Sequence, residues 1–297
     1  MMKVVLVGCG AMSRQWLDAA RQIDGLAIAG LVDLDAERAQ ARAREYDLSN
    51  AVIGTSLDAV LDETKPDAVF DVVVPAARRE VALSAFAHHC HLLTEKPLAD
   101  SPENARVIIA AARQAGRVHA VVQNRRYVAN VRRIRRFLDS GAIGKPTSIH
   151  ADFFIAPHFG GFREEMDHVL LLDMAIHTYA GSWCADGFRT SWEGSWRVVA
   201  ERGSLLWDGH DGLKAEVVAS GRDGIIDKTH SIEVPALDPA DRVGGHLGII
   251  QDFMRAIETG TEPETRGADN IKSLAMVFGA IESAETGRRV AIPTQEG

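Results

Sequence analysis

Lys3-Val4-Val5-Leu6-Val7 is a short, β-branched apolar run, and Gly8-Cys9-Gly10-Ala11-Met12-Ser13 follows it at once. A helical pattern then begins, with Trp16, Leu17, Ala20 and Ile23 spaced for one face. Two glycines at a strand-to-helix turn have separate uses. Gly8 permits the tight turn, and Gly10 lets the backbone approach a ligand with no Cβ in the way. The helix start at Ala11 and Met12 offers N–H groups and the positive end of the helix dipole, which suits a pyrophosphate. The third position of the pattern is Ser13, small enough for helix–strand packing. Asp33 lies at the end of the next strand, Leu26 to Val32, about twenty residues on, as a dinucleotide fingerprint requires. A carboxylate there suits ribose hydroxyls and repels a 2′-phosphate, so NAD is expected and NADP disfavoured. Asp35 is the alternative for that role. The competing reading is an ordinary βα turn in a sheet that binds something else.

The strand–helix alternation continues to about residue 122. Ala36 to Arg44 reads as helix, Ala68 to Val74 as strand stopped by Pro75, and Glu80 to His88 as helix. His91 to Thr94 is a strand, Pro102 to Ala115 a helix, and Arg117 to Val122 a strand. Such alternation predicts an α/β domain with a doubly wound parallel sheet, the Rossmann arrangement. The second half reads differently. Arg132 to Ser140 and Leu170 to Ala180 are expected helices, and Thr147 to Ile155 a strand. Short strands follow at Ser195 to Ala200, Ser204 to Trp207, Lys214 to Ala219 and Lys228 to Val234, with Gly-containing turns between them. Two helices close the chain, His246 to Glu258 and Asp269 to Thr286. The expectation is a Rossmann domain over 1–122 and an α+β domain over 123–297 with a large, mostly antiparallel sheet.

Composition narrows the function classes. Hydrophobic residues make up 46% of the 297 and charged residues 25%, a globular balance. The net charge of −8 argues against nucleic acid as a partner. The run Arg132-Arg133 with Arg135-Arg136 reads as a solvated helix face. No apolar run approaches a membrane span, and Gly8 and Gly10 break the early apolar stretch too soon for a secretory signal. Cys9, Cys90 and Cys184 form no disulfide or zinc pattern, which fits a reducing cytoplasm. No metal site is expected. His88-His89-Cys90-His91 is read as cations at a helix C-terminus.

Three residues carry the chemistry. Lys96, in Glu95-Lys96-Pro97, sits at the C-terminal end of a strand, where ligands bind in open α/β sheets. The alternative is a surface loop lysine. Asp173 and His177 stand four apart within an apolar helical stretch and share a face. A carboxylate orients an imidazole and raises its basicity, which makes a general base. A structural i,i+4 pair is the alternative. His158 and Arg163, with Glu164 and His168 nearby, are candidate contacts for a polar or acidic substrate. Exposed loop residues are the alternative for them. His246, at a helix start, is a further candidate to reach the substrate, and an ordinary helix-start residue is its alternative.

Gly8-Cys9-Gly10-Ala11, Asp33, Val74-Pro75, Glu95-Lys96-Pro97, Gln123-Asn124-Arg125-Arg126-Tyr127 and Asp173-x-x-x-His177 together resemble the Gfo/Idh/MocA oxidoreductases, across nearly the whole chain. The resemblance implies an NAD-dependent dehydrogenase acting on the CH–OH groups of sugars and polyols. It implies that Lys96, Asp173 and His177 form the catalytic set, and that Pro75, Glu95, Lys96 and Asn124 join Gly8, Gly10, Ala11, Met12 and Asp33 at the cofactor. It also implies a homodimer or homotetramer built through the C-terminal sheet. The chain departs from the family pattern at Val74-Pro75-Ala76-Ala77-Arg78-Arg79, where Thr-Pro and a histidine are common. It departs again at 162–169, where a glycine-rich turn is common. Two other functions use the same residues: a lyase or hydrolase that employs bound NAD transiently, and a non-catalytic NAD and sugar sensor.

Overall fold

The structure is a computed structural model and describes residues 1–154, 179–182, 187–219 and 228–292. Contacts divide the chain into two units, Met1–Tyr127 with Arg242–Gly297, and Val128–Asp241.

The first unit holds strands β1 (Met2–Val7), β2 (Leu26–Val32), β3 (Val52–Gly54), β4 (Ala68–Asp71), β5 (His91–Thr94) and β6 (His119–Val121). They form one sheet in the order β3-β2-β1-β4-β5-β6, and every pairing is parallel. Helices α1 (Ser13–Ala20), α2 (Ala36–Glu45), α3 (Leu57–Thr64), α4 (Arg78–Ala87) and α5 (Pro102–Ala115) connect them. The strand order reverses between β1 and β4, which opens a crevice at their C-terminal ends. This is the expected doubly wound sheet.

The chain returns to this unit after α6 (Ala129–Asp139), with α7 (His246–Thr259) and α8 (Gly267–Thr286). The cause lies in strand alternation. Val69, Leu92 and Val121 face one layer with Ala82, Phe86, Ile108 and Leu274, from α4, α5 and α8. Phe70, Leu93 and Ala120 face the other layer, where α1 supplies Trp16 and Leu17. The crossovers α4 and α5 leave the second face of β4–β6 bare, and Ile249, Ile250 and Phe253 of α7 cover it. Past α7 the chain also guards the sheet edge. Val121 N–H donates to Thr265 O at 2.9 Å, and Ala120 bridges Arg266 antiparallel. The division therefore falls differently from the expected 123–297 domain. Sequence periodicity identifies α7 and α8 as helices but does not say which sheet they pack on.

The second unit holds β7 (Pro146–Phe154), β8 (Tyr179–Ser182), β9 (Ser195–Ala200), β10 (Gly203–Trp207), β11 (Leu213–Val218) and β12 (Thr229–Ile232). Their order is β12-β11-β10-β9-β7-β8, antiparallel throughout except for the parallel β7–β8 pair. Alternation sends Val198, Leu205, Trp207 and Ala215 to a core with Phe137 of α6. The opposite face shows His150, Asp152, Arg197, Leu206, Lys214 and Glu216 to solvent.

Several expectations are corrected in detail. The strand over 68–74 ends at Asp71, because the Asp71 carboxylate accepts the Val73 N–H at 3.2 Å and turns the chain. The helix expected over 170–180 does not reach its end, since Tyr179 and Ala180 belong to β8, paired with β7. The short β3 and α3 carry too little periodicity to be read. The basic run on α6 is more than a solvated face: Arg133 donates to Val234 O and Pro235 O, and Arg136 pairs with Asp241. No described helix is long and apolar enough to cross a membrane.

Candidate active site

The glycine turn is held from both sides. Gly8 adopts φ +95° and donates to Val32 O at 2.8 Å. The Cys9 N–H donates to Asp33 Oδ2 at 2.8 Å. Arg42 of α2 reaches across and donates from Nη2 to Cys9 O at 3.2 Å and Gly10 O at 3.0 Å. Ser13 Oγ donates to Gly10 O at 2.6 Å, so the third fingerprint position ties the turn as well as packing beneath it. These bonds turn the carbonyls of the loop inward. The N–H groups of Ala11 and Met12 enter no hydrogen bond among the described residues, and a Cβ built on Gly10 would meet nothing within 4 Å. Open space beside free donors at a helix start is the cradle a pyrophosphate needs. The turn therefore fits a dinucleotide.

Asp33 stands at the mouth of β2, almost buried, with Oδ1 accepting the Asp35 N–H at 3.0 Å and Arg38 Nη1 paired ionically with it at 3.6 Å. Asp35 is committed elsewhere. Its side chain caps α2 by accepting the N–H groups of Glu37 and Arg38. The Cys9 thiol is pushed up to about 12, first by burial and then by Asp33, and stays protonated.

Lys96 follows β5, and the Lys96–Pro97 peptide is cis. Glu95 is only 6% exposed. Its Oε2 accepts the Lys96 N–H at 2.8 Å, and its Oε1 accepts Trp16 Nε1–H at 3.4 Å and lies 3.4 Å from His246 Nε2. Burial pushes the Glu95 carboxyl up. The His246 hydrogen bond and the charges of Lys96 and Arg78 outweigh it and hold the group below its ordinary value. Arg78, buried at the start of α4, donates to Val73 O at 3.1 Å and to Pro97 O. It fastens the end of β4 to the Lys96-Pro97 loop. Val74 and Pro75 lie between these anchors, and Asn124 follows β6 in a short 3-10 turn.

Asp71, beneath this loop, is fully buried. Its Oδ2 has no hydrogen-bond partner among the described residues. Burial pushes its carboxyl up to about 7 and Glu95 adds to the rise, while Arg78 and the Val73 N–H pull down. The folded value exceeds the ordinary 3.8, so folding favours the protonated form. That contribution to stability is full below the unfolded value and is lost as pH rises through about 7, a change on the order of 4 kcal/mol. Asp71→Asn keeps the acceptor for Val73 and does not titrate. Its thermal midpoint relative to the parent is expected to rise between about pH 5 and about pH 8. A difference that stays constant across that range removes the assignment.

Asp173, His177, His158 and Arg163 lie outside the described residues, with Glu164, His168, Cys184 and Trp183. The run His88-His89-Cys90-His91 disperses. His88 Nδ1 lies 2.8 Å from Ser84 O, Cys90 Sγ reaches Pro66 O, and His91 Nδ1 accepts the Val118 N–H. Among the described residues no group of three or more His, Cys, Asp or Glu side chains is arranged for a metal ion. Arg42, Arg78 and the Trp16–Glu95 bond were not anticipated from sequence. Arg78 lies in the departing Val74 to Arg79 run, and that departure was the signal available. Arg42 and Trp16 look like ordinary amphipathic-helix residues.

Known proteins resemble this chain along most of its length. Residues 2–123 match the Gfo/Idh/MocA family model, described as an oxidoreductase family with an NAD-binding Rossmann fold. The chain is 25% identical to 1,5-anhydro-D-fructose reductase of Ensifer adhaerens over 97% of its own length and 98% of that protein's. It is 27% identical to D-apiose dehydrogenase of Paraburkholderia graminis, covering 99% and 90% respectively. Among solved structures, an oxidoreductase from Agrobacterium radiobacter in complex with NAD+, L-tartaric acid and magnesium aligns at TM-score 0.80 and 20% identity, over 98% of each chain. The parallel sheet agrees with these matches: residues 2–123 carry the NAD-binding Rossmann fold that the Gfo/Idh/MocA family model describes.

Proposed function

We propose that the protein is an NAD-dependent dehydrogenase that moves a hydride between the nicotinamide and a carbinol carbon of a sugar, polyol or related hydroxylated compound. The observation that carries the reading is the cradle at Gly10 in the same unit as Lys96, which sits at a strand's C-terminal end. The relatives named above act on sugars by their names, which supports a carbohydrate substrate. NAD would lie along Gly8, Gly10, Ala11, Met12 and Asp33, with Pro75, Glu95, Lys96 and Asn124 toward its nicotinamide end. When bound, NAD supplies the hydride acceptor, and its reduced form the donor.

The chain's own residues supply the rest. Oxidising CH–OH to C=O would also release the hydroxyl proton. His177 accepts that proton, and Asp173 orients its ring. Lys96 donates a hydrogen bond to the same oxygen and stabilises negative charge as the O–H bond breaks. His158 and Arg163 contact the polar substrate. A homodimer or homotetramer through the outer face of the second sheet covers Leu206, which is 39% exposed among mixed charges. A reducing cytoplasm suits Cys9 and Cys90, both buried free thiols.

The test is a panel of sugars, inositols and sugar acids with NAD or NADP, on enzyme of measured mass. Reduced nicotinamide accumulates with at least one substrate and NAD, and the mass is a multiple of the chain. Product formed without net reduced nicotinamide points to transient cofactor use, and binding without turnover points to a sensor. Either result overturns the dehydrogenase reading, and a monomer mass overturns the oligomer.

A further inference from the structure

His246 opens α7, far along the chain from the Glu95-Lys96-Pro97 loop, yet its ring bridges the ends of two strands of the first sheet. Its Nδ1 lies 3.4 Å from Asn124 Nδ2, just past β6. An amide nitrogen only donates, so Nδ1 accepts and Nε2 carries the proton. That Nε2–H faces Glu95 Oε1, also at 3.4 Å, at the end of β5. The ring packs against Trp16 with centroids 5.9 Å apart, and Trp16 donates to the same carboxylate oxygen.

The histidine is held in place by its own helix start. Gly244 at φ +94° and Gly245 at φ +62° let both N–H groups turn to Tyr127 O, at 3.0 and 3.4 Å. Tyr127 Oη donates to Asp252 Oδ2 one and a half turns into α7, at 3.0 Å. Tyr127 and Asn124 share one 3-10 turn. The residue that clamps the helix and the residue that bonds the ring are thus one rigid piece.

A carboxylate as buried as Glu95 needs donors on both oxygens. It finds Trp16 and His246 on one and the Lys96 peptide N–H on the other. That peptide bond fixes the direction in which the Lys96 side chain leaves the strand. We propose that His246 is a positioning residue for the dehydrogenase reaction: acting through Glu95, it holds the Lys96 peptide in its working orientation. Lys96 is taken as the group that meets the substrate oxygen, so the inference rests on the function proposed above.

His246→Leu removes the donor to Glu95 and the acceptor for Asn124. It is expected to lower kcat by roughly 30-fold or more, with the sugar KM and the NAD dissociation constant by calorimetry within about threefold. His246→Gln offers an N–H donor and a carbonyl acceptor and is expected to recover most of that loss at an unchanged thermal midpoint. If His246→Leu does not fold, His246→Asn, polar but too short to reach Glu95, carries the same test. A folded variant with kcat within about twofold of the parent overturns the proposal, and so does a loss that Gln fails to recover. Lys96→Met separates the two readings. Full turnover in that variant sinks the role of Lys96 itself. An inactive Lys96→Met beside a fully active His246→Leu sinks only the positioning role.

Discussion

Lys96→Met is expected to lower turnover by about 10³-fold or more while NAD binding measured by calorimetry stays near the parent's. The methylene stem and length are kept, so the loop held by Arg78 and Glu95 stays folded. What disappears is the cation at the end of β5 that would meet the substrate oxygen. His177→Ala is expected to cost a similar factor, because no other base is assigned to the hydroxyl proton. An external amine or imidazole added to the respective variant is expected to restore part of the rate. Unchanged turnover in either variant withdraws that residue from the mechanism.

The second large effect separates the two glycines of the turn. Gly8 adopts φ +95°, and a Cβ there would stand 2.7 Å from both the carbonyl carbon and the oxygen of Val72. Those are backbone atoms at the end of β4 and cannot move aside cheaply. Gly8→Ala is expected to lose roughly 2–4 kcal/mol of stability in the absence of any cofactor, from strain and overpacking together. Gly10→Ala is different, because a Cβ there meets nothing within 4 Å and the backbone is not left-handed. Its thermal midpoint is expected to match the parent's, while its NAD affinity drops by about 10²-fold or more, since the new methyl fills the pyrophosphate approach. Cofactor-free midpoints and calorimetric affinities of the two variants read this directly. Parent-like NAD affinity in Gly10→Ala removes the cradle.

The sequence was legible where local chemistry decides the outcome. The Gly8-Gly10 turn, Asp33 at the end of β2 and the boundaries of β5, α5 and β9 all follow from short-range patterns. The same patterns are silent on long-range packing. Nothing between residues 246 and 286 says that Phe253 meets Phe70, 6.4 Å away between ring centroids. Arg42 looks like one of several arginines on a solvated helix, and only the fold brings it to the carbonyls of Cys9 and Gly10. Asp35 stands directly before α2, which starts at Ala36 as read, and its side chain caps that helix. Glu95 was assigned to the cofactor by resemblance. Only the fold shows that its carboxylate also bonds Trp16, His246 and the Lys96 N–H.

The return of the chain at Arg242 also bears on biosynthesis. A ribosome that has released the first 241 residues has made every strand of the parallel sheet. The nascent sheet at that moment still shows Phe70, Leu93 and Ala120 on the face that α7 later covers. The nucleotide-binding unit therefore matures last, although its strands are made first, and the segment between Tyr127 and Arg242 is synthesised as an insert whose two ends are already pinned together by the bond from Gly244 to Tyr127 once α7 docks. Exchange of that insert between related chains leaves the cofactor half to be rebuilt around a closed loop of any length, for which the entropic cost rises only slowly with the number of residues enclosed.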